Sequence, residues 1–150
     1  MNDIKKILVP TDFSQDTVRV LETAATIARK FGASIHLAFV VESLDAYAGF
    51  AVPHPSLSKL EQDLLERAGR KMEEFAAAHA SKEIPCVTTI LHGKVPEQIV
   101  RHAAMEGIDL IVIGTRTCKE VQRALFGSVT ERVVRTASCP VLTMNPCSQE

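Results

Sequence analysis

Two glycines frame the stretch of this chain best suited to chemistry. Gly114 closes the apolar run Asp109 to Ile113, and Gly127-Ser128 stands directly before Val129-Thr130-Glu131, where a helical pattern begins. Glycine has no Cβ, so backbone N–H groups beside it can approach an anion closely. A helix N-terminus adds more N–H donors and the positive end of the helix dipole. Arg116, Lys119 and Arg123 put cations on the same loop. Phosphate is the chemistry such a loop fits. The same residues also have a purely structural reading, because Ser128 and Glu131, three apart, form a capping box that needs no ligand.

Asp12 is the second candidate. It follows Val9-Pro10-Thr11 at the end of the first apolar run, where a carboxylate could take a ribose hydroxyl or metal-bound water, or could cap a helix with Ser14. Other constellations are missing. There is no G-x-x-x-x-G-K-[ST], and the first strand runs into Pro-Thr-Asp instead of G-x-G-x-x-G, which excludes a P-loop and an ordinary dinucleotide fingerprint. His36, His54, His79, His92 and His102 share no spacing, and no nucleophile–base–orienter set assembles. No metal site is expected. Cys86, Cys118, Cys139 and Cys147 form no C-x-x-C pair and are read as free thiols of a cytoplasmic protein, with Cys118 in the polar loop the most exposed.

The elements that must position these residues alternate regularly. Ile4 to Val9 reads as a strand, followed by a helix capped by Ser14 and stopped by Gly32. Ser34 to Val41 is a second strand. Gly49, Pro53 and Pro55 exclude a helix over the second half of residues 43–57, and helical period returns from Ser58 through Leu60, Leu64, Ala68, Met72 and Phe75. Cys86 to Leu91, Asp109 to Ile113 and Val141 to Met144 are further strands. Pro96 opens a helix that Gly107 ends, and a short helix starts at Ser128. Strands alternating with helices imply right-handed crossovers and an α/β fold: a parallel, doubly wound sheet with helices on both faces. In such a sheet, ligands bind beyond the carboxyl ends of the strands. That places Pro10-Thr11-Asp12, Val40-Val41 and the loop from Gly114 together.

Composition agrees with this reading. The chain has 150 residues, 46% hydrophobic and 23% charged, with a net charge of −1. It reads as one domain over residues 1–150. Near neutrality without a basic block argues against nucleic acid or an anionic membrane as partner. No apolar run approaches a membrane span.

The segments Lys6-Ile7-Leu8-Val9-Pro10-Thr11-Asp12-Phe13-Ser14 and Gly127-Ser128-Val129-Thr130-Glu131-Arg132-Val133-Val134, with the ending Cys139-Pro140-Val141-Leu142, closely resemble the universal stress protein family. The resemblance covers essentially the whole chain. It implies a five-stranded parallel sheet in the order 3-2-1-4-5 and a homodimer through the last strand. It also implies ATP or AMP as ligand, with Mg2+ as companion ion, and a regulatory role in the stress response with protein partners of unknown identity.

Nucleotide-binding members of the family resemble one another in G-x-x-G, nine residues, then G-[ST]. Gly114, Gly127 and Ser128 match this pattern, whereas Thr117 replaces the second glycine. By resemblance, Asp12 with Pro10, Thr11 and Val40 would hold the adenosine end. Gly114, Thr115, Gly127, Ser128, Val129 and Thr130 would line the phosphates, with Arg116 or the Thr117 hydroxyl able to reach them if the loop shifts. A positive φ at Thr117 would cost roughly 1–2 kcal/mol, a factor of about 5 to 30 in affinity. The alternatives are a dimeric scaffold that has lost the nucleotide, and a weak ATP hydrolase or autophosphorylating protein.

Overall fold

The computed structural model describes residues 3–43, 54–115 and 127–147, without the side chains of residues 54–57. Five strands and four helices alternate: β1 (Lys6–Pro10), α1 (Gln15–Phe31), β2 (Ser34–Glu42), α2 (His54–His79), β3 (Cys86–Gly93), α3 (Val95–Met105), β4 (Leu110–Gly114), α4 (Ser128–Thr136) and β5 (Val141–Met144). The strands form one parallel sheet in the order β3-β2-β1-β4-β5, so the chain runs outward to one edge and then crosses to the other side of β1. That reversal opens a crevice at the carboxyl ends of β1 and β4.

The central strands β1, β2 and β4 are mostly apolar because both of their faces are covered. Ile7 and Val9 of β1 join Leu37, Val20, Met72 and Phe75 in the core under α1 and α2. Leu8, between them, points the other way and packs with Ile99, Ile111 and Val133 under α3 and α4. Each of these buried apolar side chains contributes about 1.5–3 kcal/mol by leaving water.

Several boundaries follow directly from local chemistry. Ser14 is the N-cap of α1, its hydroxyl accepting from the Thr17 N–H, and Gly32 closes the helix at φ 67. Asp109 Oδ2 accepts from the Lys5 and Lys6 N–H groups at 2.9 and 3.0 Å, which fixes the start of β1 beside β4. The second helix differs from expectation. It begins at His54, four residues before Ser58, with Pro55 inside its first turn. Proline is tolerated there because that N–H has no intrahelical acceptor in any case. The expectation of four free thiols is also corrected. Cys86 and Cys139 are free, but Cys147 is disulfide-bonded, with its partner outside the described residues.

The turn from β1 to α1 holds the one non-glycine residue at positive φ among those described, Phe13 at φ 64. Its ring stacks on Phe39 of β2 at 4.6 Å between centroids and meets Phe75 of α2 edge-on at 5.7 Å. Aromatic packing offsets a backbone strain of order 1–3 kcal/mol. Phe13→Ala is therefore expected to destabilise the fold by roughly 2–4 kcal/mol in urea unfolding. Phe13→Gly should recover about 1 kcal/mol of that, since glycine accepts this φ freely. An alanine variant as stable as the glycine variant would contradict the strain.

On the α3 side of the sheet, His36 is 8% exposed, in register with Leu8 and Val87. Burial pushes its pKa below the ordinary value, aided by Lys6 and His102 and opposed by Glu106. His102 of α3 has its Nε2 buried with no hydrogen-bond partner among the described residues. The native state therefore resists protonation that the unfolded chain accepts near pH 6.5. Stability should fall as pH drops below about 6.5, continuing to the lower native pKa. His36→Leu should flatten that part of the profile, and an unchanged slope from pH 7 to 5 would refute the assignment.

Candidate functional site

The site is built on the turn that leaves β1. Thr11 N–H donates to Ala38 O at 2.8 Å, which ties the turn to β2. Phe13 N–H donates to Thr11 Oγ1 at 2.9 Å. Asp12 Oδ1 then accepts from the Ser14 N–H at 3.0 Å, the Ser14 hydroxyl, and Thr17 Oγ1 at 2.7 Å. Burial raises the Asp12 pKa, but the hydrogen bonds from Ser14 and Thr17 outweigh it and leave the carboxyl below its ordinary value. The group is thus an anion at neutral pH. All of these bonds fall on Oδ1, and among the described residues none falls on Oδ2.

Across the crevice stands the start of α4. The capping box expected from Ser128 and Glu131 does not form. Gly127 is the N-cap, with no side-chain cap, and Ser128 is the first helical residue. Glu131 reaches Arg135 instead, one turn on, at 3.1 Å. An α-helix leaves its first N–H groups without intrahelical acceptors. Here Ser128, Val129 and Thr130 line a cavity together with Gly127. Gly127 lies at φ −69 and ψ 162, angles open to any residue. Its value is therefore the missing side chain, not an unusual conformation.

The helix start is held in place by backbone and hydroxyl bonds. Gly127 N–H donates to Thr115 O at 2.6 Å, and Thr115 N–H donates to Met144 O at 2.7 Å. Thr130 Oγ1 donates to Gly114 O at 2.6 Å and is buried. Behind Gly114, the Arg19 guanidinium donates to Pro146 O at 2.6 Å, which draws the segment after β5 over α1 as a wall. A Cβ on Gly114 would stand 3.4 Å from Pro146 Cγ, ordinary to tight contact.

Three adjoining cavities result. The innermost, about 220 Å³, is lined by Pro10, Thr11, Asp12, Asp16, Thr17, Gly114 and Gly127 to Thr130. A second, about 750 Å³, shares Pro10, Thr11 and Asp12 and opens past Val40 and Glu42 towards Arg67 and Lys71 of α2. A third, about 770 Å³, opens past Ser128 and Val129 to Lys94 and Arg132. Eight of the sequence-derived residues therefore face one cavity, and Val40 faces the cavity beside it. Thr115 serves through its backbone. Arg116, Thr117 and Cys118 lie outside the described residues. Thr17, Phe13, Arg67 and Lys71 were not singled out in the sequence. Thr17, five residues after Asp12 and able to cap alongside Ser14, carried a usable signal; the α2 cations carried none, because only the fold brings that helix to the crevice.

Comparison with known proteins matches residues 3–144 to the universal stress protein family. Universal stress protein MJ0531 of Methanocaldococcus jannaschii is 31% identical, the match spanning 99% of this chain and 86% of the relative. The solved structure of MJ0577, a hypothetical protein when it was determined, superposes with a TM-score of 0.84 at 27% identity over 99% of this chain and 100% of that one. A universal stress protein from Archaeoglobus fulgidus in complex with dAMP shares the fold with a TM-score of 0.65 at 23% identity, covering 95% and 98%. The chain belongs to the universal stress protein family.

Proposed function

We propose that this protein binds an adenine nucleotide, ATP or AMP, in the crevice between the β1–α1 turn and the start of α4, and acts as a nucleotide-dependent regulatory module. The observation that carries the reading is the uncapped N-terminus of α4, whose Ser128, Val129 and Thr130 line the inner cavity. A nine-residue helix supplies free N–H donors and a dipole to a phosphate there. The adenosine end would occupy the cavity beside Val40, with Asp12 Oδ2 as its polar contact. The dAMP complex of a protein with the same fold supports the class of ligand. Asp12 and Asp16 are the carboxylates lining the inner cavity. They fit Mg2+ only as partial ligands, with phosphate and water completing the set.

Calorimetric titration with ATP and AMP tests this directly. Uptake at or below millimolar concentration is expected. Gly127→Val should abolish it, because a side chain would fill the approach to the helix start while the backbone angles remain allowed. Thr117→Gly should tighten binding by a factor of about 5 to 30 if threonine there strains the loop. If neither the native protein nor Thr117→Gly takes up nucleotide at millimolar concentration, the scaffold reading replaces this one.

A homodimer through β5 belongs to the same proposal. β5 is an edge strand of four residues, with Leu142 39% exposed. An apolar open edge favours pairing with its own copy across a two-fold axis. Sedimentation is expected to give a dimer at micromolar concentration and a monomer for Leu142→Asp; a native monomer would count against it.

A further inference from the structure

The nucleoside side of the crevice carries two cations that the nucleotide reading does not use. Arg67 and Lys71 sit one helical turn apart on α2, and both line the 750 Å³ cavity with Pro10, Thr11, Asp12 and Val40. The next residues along, Ala68 and Met72, are buried in the core, so the cations stand at the rim of the buried stripe, over the cavity mouth. Neither forms a salt bridge among the described residues, although α2 also carries Asp63, Glu66, Glu73 and Glu74. Like charges at this spacing repel along a helix. The carboxylates on the same cavity are Asp12, whose Oδ1 is committed to Ser14 and Thr17, and Glu42 at the end of β2.

Both cations are donor-only groups, suited to a second anion more than to an uncharged base. The start of α4 does not line this cavity, and Arg67 and Lys71 do not line the inner one. A single phosphate on α4 therefore leaves them unused. Resting on the nucleotide reading above, we propose that the crevice selects a nucleotide phosphorylated on its ribose as well as at its 5′ position. The 5′ phosphate lies on the α4 N-terminus, and the 2′ or 3′ phosphate is held by Arg67 and Lys71.

Titration calorimetry of the full chain with AMP, adenosine 2′,5′-bisphosphate and adenosine 3′,5′-bisphosphate tests this. One bisphosphate is expected to bind roughly tenfold tighter than AMP. Arg67→Gln/Lys71→Gln, both at exposed positions, should remove that advantage, so that the variant binds AMP and the bisphosphates within about twofold of one another. High salt should shrink the advantage as well. If AMP binds and neither bisphosphate binds tighter, or if the advantage survives the double substitution, this inference is overturned and the nucleotide site stands. If neither AMP nor a bisphosphate binds, both readings fall.

Discussion

A carboxylate that accepts three hydrogen bonds on one oxygen organises this end of the molecule. β1 lies at the centre of the sheet, and the chain must leave it and enter α1 within four residues. Asp12 Oδ1 gathers the Ser14 N–H, the Ser14 hydroxyl and the Thr17 hydroxyl, so the helix start is tied to the end of the strand. The cost is a left-handed backbone at Phe13, offset by the contacts of its ring with Phe39 and Phe75. The bond from Thr11 to Ala38 then orients the turn against β2. Everything that lines the crevice on this side inherits its position from that network.

The opposite wall follows a complementary rule. α4 starts without a side-chain cap, so its end carries donors and positive potential. Thr115 and Thr130 spend their own polar groups on holding Gly127 and Gly114 in place. The hydroxyl of Thr130 is buried and already donating, which makes it a strut of the site and not a ready nucleophile. An anion in the crevice would meet the helix end on one side and Oδ2 of an ionised Asp12 on the other. That opposition favours a ligand with a phosphate at the α4 end and a hydrogen-bond donor, such as a hydroxyl, for Oδ2.

Much of this was legible in the residues. Alternating apolar runs and helical stretches, with Ser14 and Gly32 as cap and stop, give the α/β fold because each signal is local. The strand order 3-2-1-4-5 came from the family resemblance, since no local pattern encodes which strands pair. The early start of α2 was missed because Pro55 reads as a breaker until its place in the first turn is known. Ser128 and Glu131 were misleading in another way: the spacing of a capping box was present, but the helix began one residue too early to use it. Arg67 and Lys71 carry no signal in the sequence, and only the packing of Ala68 and Met72 turns them to the crevice.

The proposed phosphate position lies at the first N–H groups of α4, opposite the Asp12 turn. Amide shifts followed by NMR during an AMP titration of the ¹⁵N-labelled protein read that placement residue by residue. The largest changes should fall on Ser128, Val129 and Thr130, with Asp12 following at the same ligand concentration. Saturable shifts confined to other parts of the chain, with those four amides unmoved, would contradict it.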